Sequence, residues 1–374
     1  MRFIVTGGGT GGHVYPALAI ARGLKAKYPA AEILFLGSEG GLEADLVPKA
    51  GFDFQGIKLT GFKRRLSFRN LLACWQAARG FTEALRIMNS FKPAAVVGTG
   101  GYVCGPVVLA ASFCRIPTLI HEQNALPGVT NRLLSYITNA VAITFPDAVR
   151  YLPRRTRIKL TGLPVRPEFM SCTRQESRRA LGLPEEGRLV LSFGGSQGAR
   201  TINGAMVEVL YHFREKSDLH FLHVTGPAQY DDFVMMMSQR GFGFPDNGNN
   251  TIKPYLHEMP LALAAADLVI CRAGAATLAE ITVTGKPAIL IPYPYAAGNH
   301  QEFNALFLKR RGAAVMIRDE QLTGEVLAAQ AGRLLADPLR LEEMSAASKE
   351  LGHPRALEKI LACIEEIVTK HRGH

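Results

Sequence analysis

One local pattern occurs twice in this chain and restricts its fold more than any other feature: a short apolar run, a glycine-rich turn, then a helix-like stretch. Phe3-Ile4-Val5-Thr6 leads into Gly7-Gly8-Gly9-Thr10-Gly11-Gly12-His13, and Leu189-Val190-Leu191-Ser192-Phe193 leads into Gly194-Gly195-Ser196-Gln197-Gly198-Ala199. Runs apolar at nearly every position suit strands covered on both faces, as in parallel sheets. Further runs at 32–36, 94–98, 117–121, 140–144, 219–224, 267–271 and 287–291 alternate with helix-like stretches such as 16–27 and 202–213. That alternation predicts an α/β chain with helices on both faces of its sheets. At 374 residues there is material for two cores. The two starts predict two doubly wound halves joined near Gly162-Leu163-Pro164-Val165-Arg166-Pro167, with their strand ends facing each other across a cleft. The expected domains are 1–163, 164–345 and a helical tail, 346–374. In that tail Leu357, Ile360, Leu361, Ile364 and Ile367 fall near helical spacing and are expected to dock on the first domain.

The net charge of +11 is unevenly placed. Residues 1–165 hold 20 Lys+Arg against 8 Asp+Glu, a local excess of +12, and residues 166–374 are near neutral. An anionic partner is therefore expected at the first half. The six cysteines are widely spaced, which predicts reduced thiols and no disulfide frame. His220 and His223 form an H-x-x-H in a strand-like stretch and read as strand residues, so no metal is expected. An apolar strand opens at residue 2, so no secretion signal is expected. The uncharged stretch 93–114 is broken by Pro93, Gly98, Gly100, Gly101, Gly105 and Pro106; it reads as strand, loop and helix, not as a membrane span.

A glycine turn before a helix aims free N–H groups at an anion, and the helix dipole adds positive potential. Gly7-x-Gly9-x-x-Gly12 matches the dinucleotide pattern by letter, but the second strand ends Phe35-Leu36-Gly37-Ser38, without the acid that holds a ribose in that pattern. His13 falls in the first helical turn, where the positive helix end disfavours imidazolium; a neutral imidazole there is a candidate general base. Other polar clusters follow strand ends, where open α/β sheets bind ligands: His121-Glu122-Gln123-Asn124, Cys271 to Glu280, and Asn299-His300-Gln301-Glu302.

These motifs resemble, from end to end, the lipid-I N-acetylglucosaminyltransferase family of peptidoglycan synthesis. The resemblance lies in GGGTGGHVYP (Gly7–Pro16), HEQN (His121–Asn124), GLPVR (Gly162–Arg166), GGSQGA (Gly194–Ala199), RAGAATLAE (Arg272–Glu280) and HQEFNA (His300–Ala305). It implies two Rossmann-like domains in a glycosyltransferase B fold, the first taking the acceptor and the second the UDP-sugar. It implies N-acetylglucosamine transfer from its UDP donor to undecaprenyl-linked muramoyl-pentapeptide, with no cofactor. By the same resemblance Glu280 would grip the ribose hydroxyls and the backbone around Leu256 the uracil. Ser196 and Arg166 would meet the diphosphate, and Ala275, Ala276, Thr277, Leu278 and Ala279 would belong to the UDP-N-acetylglucosamine site. Asn124, Gln301 and Thr10-Gly11-Gly12 would meet the donor sugar and its phosphates. The family has an acid shortly before its HQ pair; this chain has Gly298.

The expected chemistry is inverting. His13, or Glu122 through a water, takes the proton from the acceptor's 4-hydroxyl. Without a D-x-D motif for a bridging metal, Arg166 and backbone N–H groups must stabilise the departing diphosphate. Residues 61–81 carry five basic residues and no acid, with Phe68, Leu71, Leu72 and Trp75 on one helical face beside Arg69. That is an interfacial-helix signature, and predicts peripheral attachment to an anionic membrane surface at its cytoplasmic face. Three alternatives remain open on the residues: a nicotinamide-dependent oxidoreductase, a related transferase acting on diacylglycerol, and a non-catalytic nucleotide-sugar-binding membrane protein. Nucleic-acid binding is not expected, since no helix-turn-helix, zinc or RNA-binding signature accompanies the basic half.

Overall fold

The computed structural model describes residues 1–59, 68–242 and 249–372. The chain divides into two compact units, Met1–Val165 with Arg355–His374, and Arg166–Pro354.

The first unit runs β1 (Arg2–Thr6), α1 (Gly11–Lys27), β2 (Glu32–Ser38), α2 (Glu43–Lys49), β3 (Asp53–Ile57), α3 (Phe68–Phe91), β4 (Ala95–Gly98), α4 (Cys104–Phe113), β5 (Thr118–Glu122), α5 (Val129–Leu134), β6 (Ala140–Ile143) and β7 (Ile158–Leu160). Its sheet has the order β3-β2-β1-β4-β5-β6-β7, and all its pairings are parallel. Successive residues of β1 serve opposite faces. Phe3 and Val5 pack into the core that includes Ala17, Ile20 and Leu24 of α1, while Ile4 packs with Met88 of α3 and Val107 of α4. Order reverses at β1, with β2 on one side and β4 on the other. Their carboxyl ends align, Thr6 opposite Gly98, so the loops that follow meet at the switch point, where such sheets bind ligands.

The second unit runs α6 (Glu168–Ser171), α7 (Arg174–Ala180), β8 (Arg188–Phe193), α8 (Arg200–His212), β9 (Leu219–Val224), α9 (Tyr230–Gln239), β10 (Asn250–Lys253), α10 (Met259–Ala265), β11 (Leu268–Cys271), α11 (Ala275–Thr284), β12 (Ala288–Leu290), α12 (His300–Arg310), β13 (Ala314–Met316), α13 (Gly324–Leu335) and α14 (Pro338–Glu350). Its order, β10-β9-β8-β11-β12-β13, is again all parallel and reverses at β8, with Phe193 opposite Cys271. His220 and His223 lie three apart on β9 and so point to opposite faces. His223 is fully buried on Ser192 Oγ at 2.7 Å, and burial pushes its pKa down to about 3.

The last helix, α15 (Ala356–Arg372), belongs to the first unit. Ile360, Leu361, Ile364, Ile367 and Val368 join the core under α1. Burial of such a side chain is worth about 1.5–3 kcal/mol. Polar contacts line its edge: Glu365 meets Tyr28 and Lys27, and Glu366 meets Arg157. A boundary at 345/346 cuts through α14, which continues to Glu350; the contacts divide after Pro354 instead.

Four strands are absent from the sequence-based set: β3, β7, β10 and β13. They are the four edges of the two sheets. An edge strand leaves one side unpaired and is commonly short and polar to avoid further pairing. Asp53–Ile57, Ile158–Leu160 and Asn250–Lys253 accordingly expose charged or polar residues and lack the continuous apolar signal of the inner strands. The five described cysteines are free thiols. Among the described residues no helix is long and apolar enough to cross a membrane.

Candidate active site

In the first unit the loops after β1 and β4 cross at the switch point. Gly8 N donates to Gly100 O at 3.3 Å, and Gly9 N donates to Glu43 Oε2 at 3.2 Å. Glu43 is fully buried and also accepts from Ser38 N at 2.9 Å. A Cβ on Gly8 or Gly41 would stand 2.1 or 2.4 Å from its carboxylate, so those glycines make room for it. The first glycine turn therefore spends two N–H groups internally. Those of Thr10, Gly11 and Gly12, at the open end of α1, are the ones placed for a ligand.

His13 sits in the first turn of α1, half-buried, with Nδ1 3.1 Å from Thr99 O and 3.2 Å from Gln123 Oε1. Both neighbours are acceptors, so Nδ1 carries the proton and Nε2 the lone pair of the neutral ring. Gly100, at φ +111°, leaves space for this ring: a Cβ there would lie 2.8 Å from His13 Nδ1.

Glu122 does not serve as the alternative base. Its side chain is buried at the end of β5, and both oxygens are engaged: Oε1 accepts from Asn124 N and Nδ2 at 2.9 and 3.3 Å, Oε2 from Gly128 N and Asn131 Nδ2 at 3.1 and 2.8 Å. Glu122 organises the loop into α5, and Asn124 is held as part of that loop.

In the second unit, the loop from β11 enters α11 after Gly274, with an extended N-cap. Ala275, Ala276 and Thr277 occupy the first turn, where N–H groups lack a helical acceptor. Leu278 is a correction. Its N–H already donates to Gly274 O at 2.9 Å and its side chain is in the core, so it has nothing to offer a ligand. Ala279 lies beyond the open turn for the same reason.

Glu280 is half-buried and its carboxyl makes no hydrogen bond among the described residues. Burial pushes its pKa up to about 7, opposed by the Arg166 guanidinium. Four residues after Ala276, it lies on the same helix face and about 6 Å further along the axis. That spacing suits a nucleoside diphosphate, with phosphate at the helix end and ribose hydroxyls at the carboxyl. Arg166 is exposed, its guanidinium 5.1 Å from the Phe169 ring centre. Ser196 is exposed at the tip of the second glycine turn. Gln301 Oε1 accepts from Ala273 N at 3.2 Å and Tyr293 N at 2.9 Å, which latches the loops after β11 and β12 together and leaves its Nε2 for a ligand. Leu256 buries its side chain, and its own N–H and C=O are without partners among the described residues, so the backbone is what a base can read there. Gly298 adopts φ +66°, a left-handed conformation that glycine takes without cost.

Sequence reading missed three organising residues. Glu43 lies 34 positions from Gly9, and nothing local links the two; the glycines around it were the only sign. Gln123 was seen as part of a motif but given no task. Arg272 braces the second unit by bonding Asp319 at 2.5 Å, Thr201 Oγ1 at 2.9 Å and the carbonyls of Ile291 and Pro292 at 3.2 Å.

Comparison with known proteins follows this division. Residues 3–143 match the glycosyltransferase family 28 N-terminal domain and residues 189–360 its C-terminal domain. A protein of Desulforudis audaxviator, named UDP-N-acetylglucosamine--N-acetylmuramyl-(pentapeptide) pyrophosphoryl-undecaprenol N-acetylglucosamine transferase, is 52% identical over 370 residues, covering 99% of both chains. One of the same name from Desulforamulus reducens is 51% identical over the full length of both. The crystal structure of Acinetobacter baumannii MurG is similar at TM-score 0.79 and 30% identity, over 98% of this chain and 99% of that one. The chain belongs to the MurG family. Its two α/β units are those of a MurG-type glycosyltransferase B fold. A UDP-GlcNAc 2-epimerase from Neisseria meningitidis, at 13% identity and TM-score 0.66, shares the fold.

The membrane contact expected from the sequence falls at the start of α3. Phe68, Arg69, Leu71, Leu72 and Trp75 fall within α3, but their side chains lie outside the described residues, as does the whole of 60–67. The described part shows an apolar surface on α4 and α5. Leu109 and Phe113 of α4 and Val129 and Leu133 of α5 are exposed, Phe113 by 74% and Leu133 by 66%. The two helices pack together, and Arg115 and Arg132 are exposed on the same segments.

Proposed function

We propose that this chain transfers N-acetylglucosamine from UDP-N-acetylglucosamine to the 4-hydroxyl of undecaprenyl-diphospho-muramoyl-pentapeptide, with inversion. The observation that carries the reading is α11: an open helix N-terminus and, one turn later, the Glu280 carboxyl with no hydrogen bond among the described residues, a holder for a nucleoside diphosphate. The names of the full-length relatives supply sugar and acceptor. Unit 1 supplies the base. His13 Nε2 takes the hydroxyl proton as the oxygen bonds to the anomeric carbon. The bond from that carbon to the diphosphate breaks, and its electron pair leaves with UDP. The N–H groups of Ala275, Ala276 and Thr277, Arg166 and Ser196 hold the growing negative charge; loss of one such preorganised donor raises a barrier by roughly 2.7–4 kcal/mol. Asn124, Gln301 and Thr10-Gly11-Gly12 are assigned to the sugar and its phosphates, Leu256 to the uracil. A turnover panel pairing several UDP-sugars with lipid-linked muramoyl-pentapeptide and with diacylglycerol tests this. Product is expected only from UDP-N-acetylglucosamine with the muramoyl acceptor; transfer to diacylglycerol, or none to either, would reject it.

The enzyme is proposed to work as a peripheral protein at the cytoplasmic face of the membrane, where its lipid acceptor is held. Exposed apolar side chains of α4 and α5 beside Arg115 and Arg132 support this, together with the basic segment 61–81. Each basic residue near an anionic surface contributes roughly 1 kcal/mol, enough for reversible docking. Vesicles containing acidic lipid should sediment the protein and salt should release it, with Phe113→Ser plus Leu133→Ser weakening the binding. Equal binding to neutral vesicles would contradict the charge contribution.

A further inference from the structure

The Gly162 carbonyl starts a chain of hydrogen bonds that ends at His13. A carbonyl only accepts, so His121 Nε2, 2.9 Å away, must donate to it. His121 Nδ1 is then a lone pair and accepts from Gln123 Nε2 at 3.1 Å. His121 is fully buried and burial holds its pKa down to about 4, so the ring stays neutral and keeps that polarity. The Gln123 NH2 group is further fixed by Thr99 O at 2.7 Å and His121 O at 3.0 Å. With its nitrogen committed to three acceptors, the amide presents Oε1 to His13 Nδ1 at 3.2 Å. Gln123 thus acts on His13 twice. It accepts from Nδ1–H directly, and it holds in line the Thr99 carbonyl that accepts from the same proton.

We propose that Gln123 is a positioning residue for the transfer: its amide, oriented by His121 and Gly162, keeps the proton of His13 on Nδ1 and so makes Nε2 the basic nitrogen. The consequence for the reaction rests on His13 being the base. Neutral imidazole in water favours the Nε2–H form, whose lone pair would sit on the wrong nitrogen. Two neutral oxygens on Nδ1 reverse that preference and remain partners for Nδ1–H when Nε2 takes up the substrate proton.

Nitrogen NMR of histidine-labelled full-length protein tests this directly, with His13 assigned by its absence in His13→Asn. Wild type is expected to show His13 protonated at Nδ1. Gln123→Leu should give a mixture with the Nε2–H form and a kcat lower by about 10²-fold, with KM for UDP-N-acetylglucosamine unchanged. A wild-type His13 protonated at Nε2 overturns the proposal whatever the variants do. So does a Gln123→Leu protein whose His13 nitrogens are unchanged, even if kcat falls, because the loss then has another cause. If His13→Asn keeps full turnover, the reading of His13 as base is what fails; the NMR comparison still decides whether Gln123 sets the tautomer.

Discussion

His13→Ala is expected to lower turnover by a factor of about 10²–10⁴, the usual contribution of a positioned acid–base group. KM for UDP-N-acetylglucosamine should stay within about twofold, because His13 is assigned to the acceptor hydroxyl and has no assigned contact with the donor. Folding should survive. Thr99 O keeps its bond from Gln123 Nε2, and a single lost hydrogen bond costs about 1 kcal/mol. Glu122→Ala should behave in the opposite way. It strips an acceptor from Asn124 N and Nδ2, Gly128 N and Asn131 Nδ2, so the melting temperature should drop along with activity. Steady-state kinetics and thermal unfolding of the two variants separate these roles. Full turnover in His13→Ala, or a stable but inactive Glu122→Ala, would exchange the assignments.

The second large effect is a pH dependence set by Glu280. Burial raises its folded pKa to about 7, above the ordinary carboxylate value of 4.5. A raised acid contributes its stability in full below the unfolded value and loses it as pH rises through the folded one. The ligand-free protein should therefore give up stability between about pH 4.5 and 7 on account of this group. If the carboxylate accepts from ribose hydroxyls, UDP-N-acetylglucosamine binds the ionised form. Its affinity should then rise with pH up to about 7 and level off above. The diphosphate diester of the donor does not titrate in this range, so the effect reports on the protein. Thermal shifts by UDP-N-acetylglucosamine should be larger at pH 8 than at pH 6. Glu280→Gln should flatten the profile and weaken binding at pH 8 by about 10–100-fold, the equivalent of roughly 1.5–3 kcal/mol for hydrogen bonds to a charged group. A profile that is flat in the wild type, or unaltered in Glu280→Gln, would remove Glu280 from the ribose.

What could be read from sequence follows burial. Inner strands such as Phe3–Thr6 and Leu189–Phe193 are covered on both faces and announce themselves as apolar runs; the edge strands, solvated on one side, do not. Glycine turns were legible as turns but not as packing. Gly8 and Gly41 exist largely to admit Glu43, and Gly100 to admit His13, and those partners lie 35, 2 and 87 positions away. The placement of His13 and of Ala275–Thr277 at helix starts after switch-point strands was legible, since strand, turn and helix are contiguous. The ligand-facing value of individual positions was not. Leu278 and Glu122 sit in motifs beside residues that can meet a substrate, yet one spends its N–H within its own helix and the other its carboxylate within its own loop. The exposed apolar residues of α4 and α5 were not legible, because composition does not tell which face of a short helix is covered.

The second unit is proposed to hold the donor and the first to carry the base. The most direct measurement is a crystal structure with UDP-N-acetylglucosamine. The account predicts diphosphate oxygens on the N–H groups of Ala275–Thr277, the ribose on Glu280 and the uracil against the Leu256 backbone. Uracil and ribose bound instead at the turn between β1 and α1, away from Leu256 and Glu280, would contradict it.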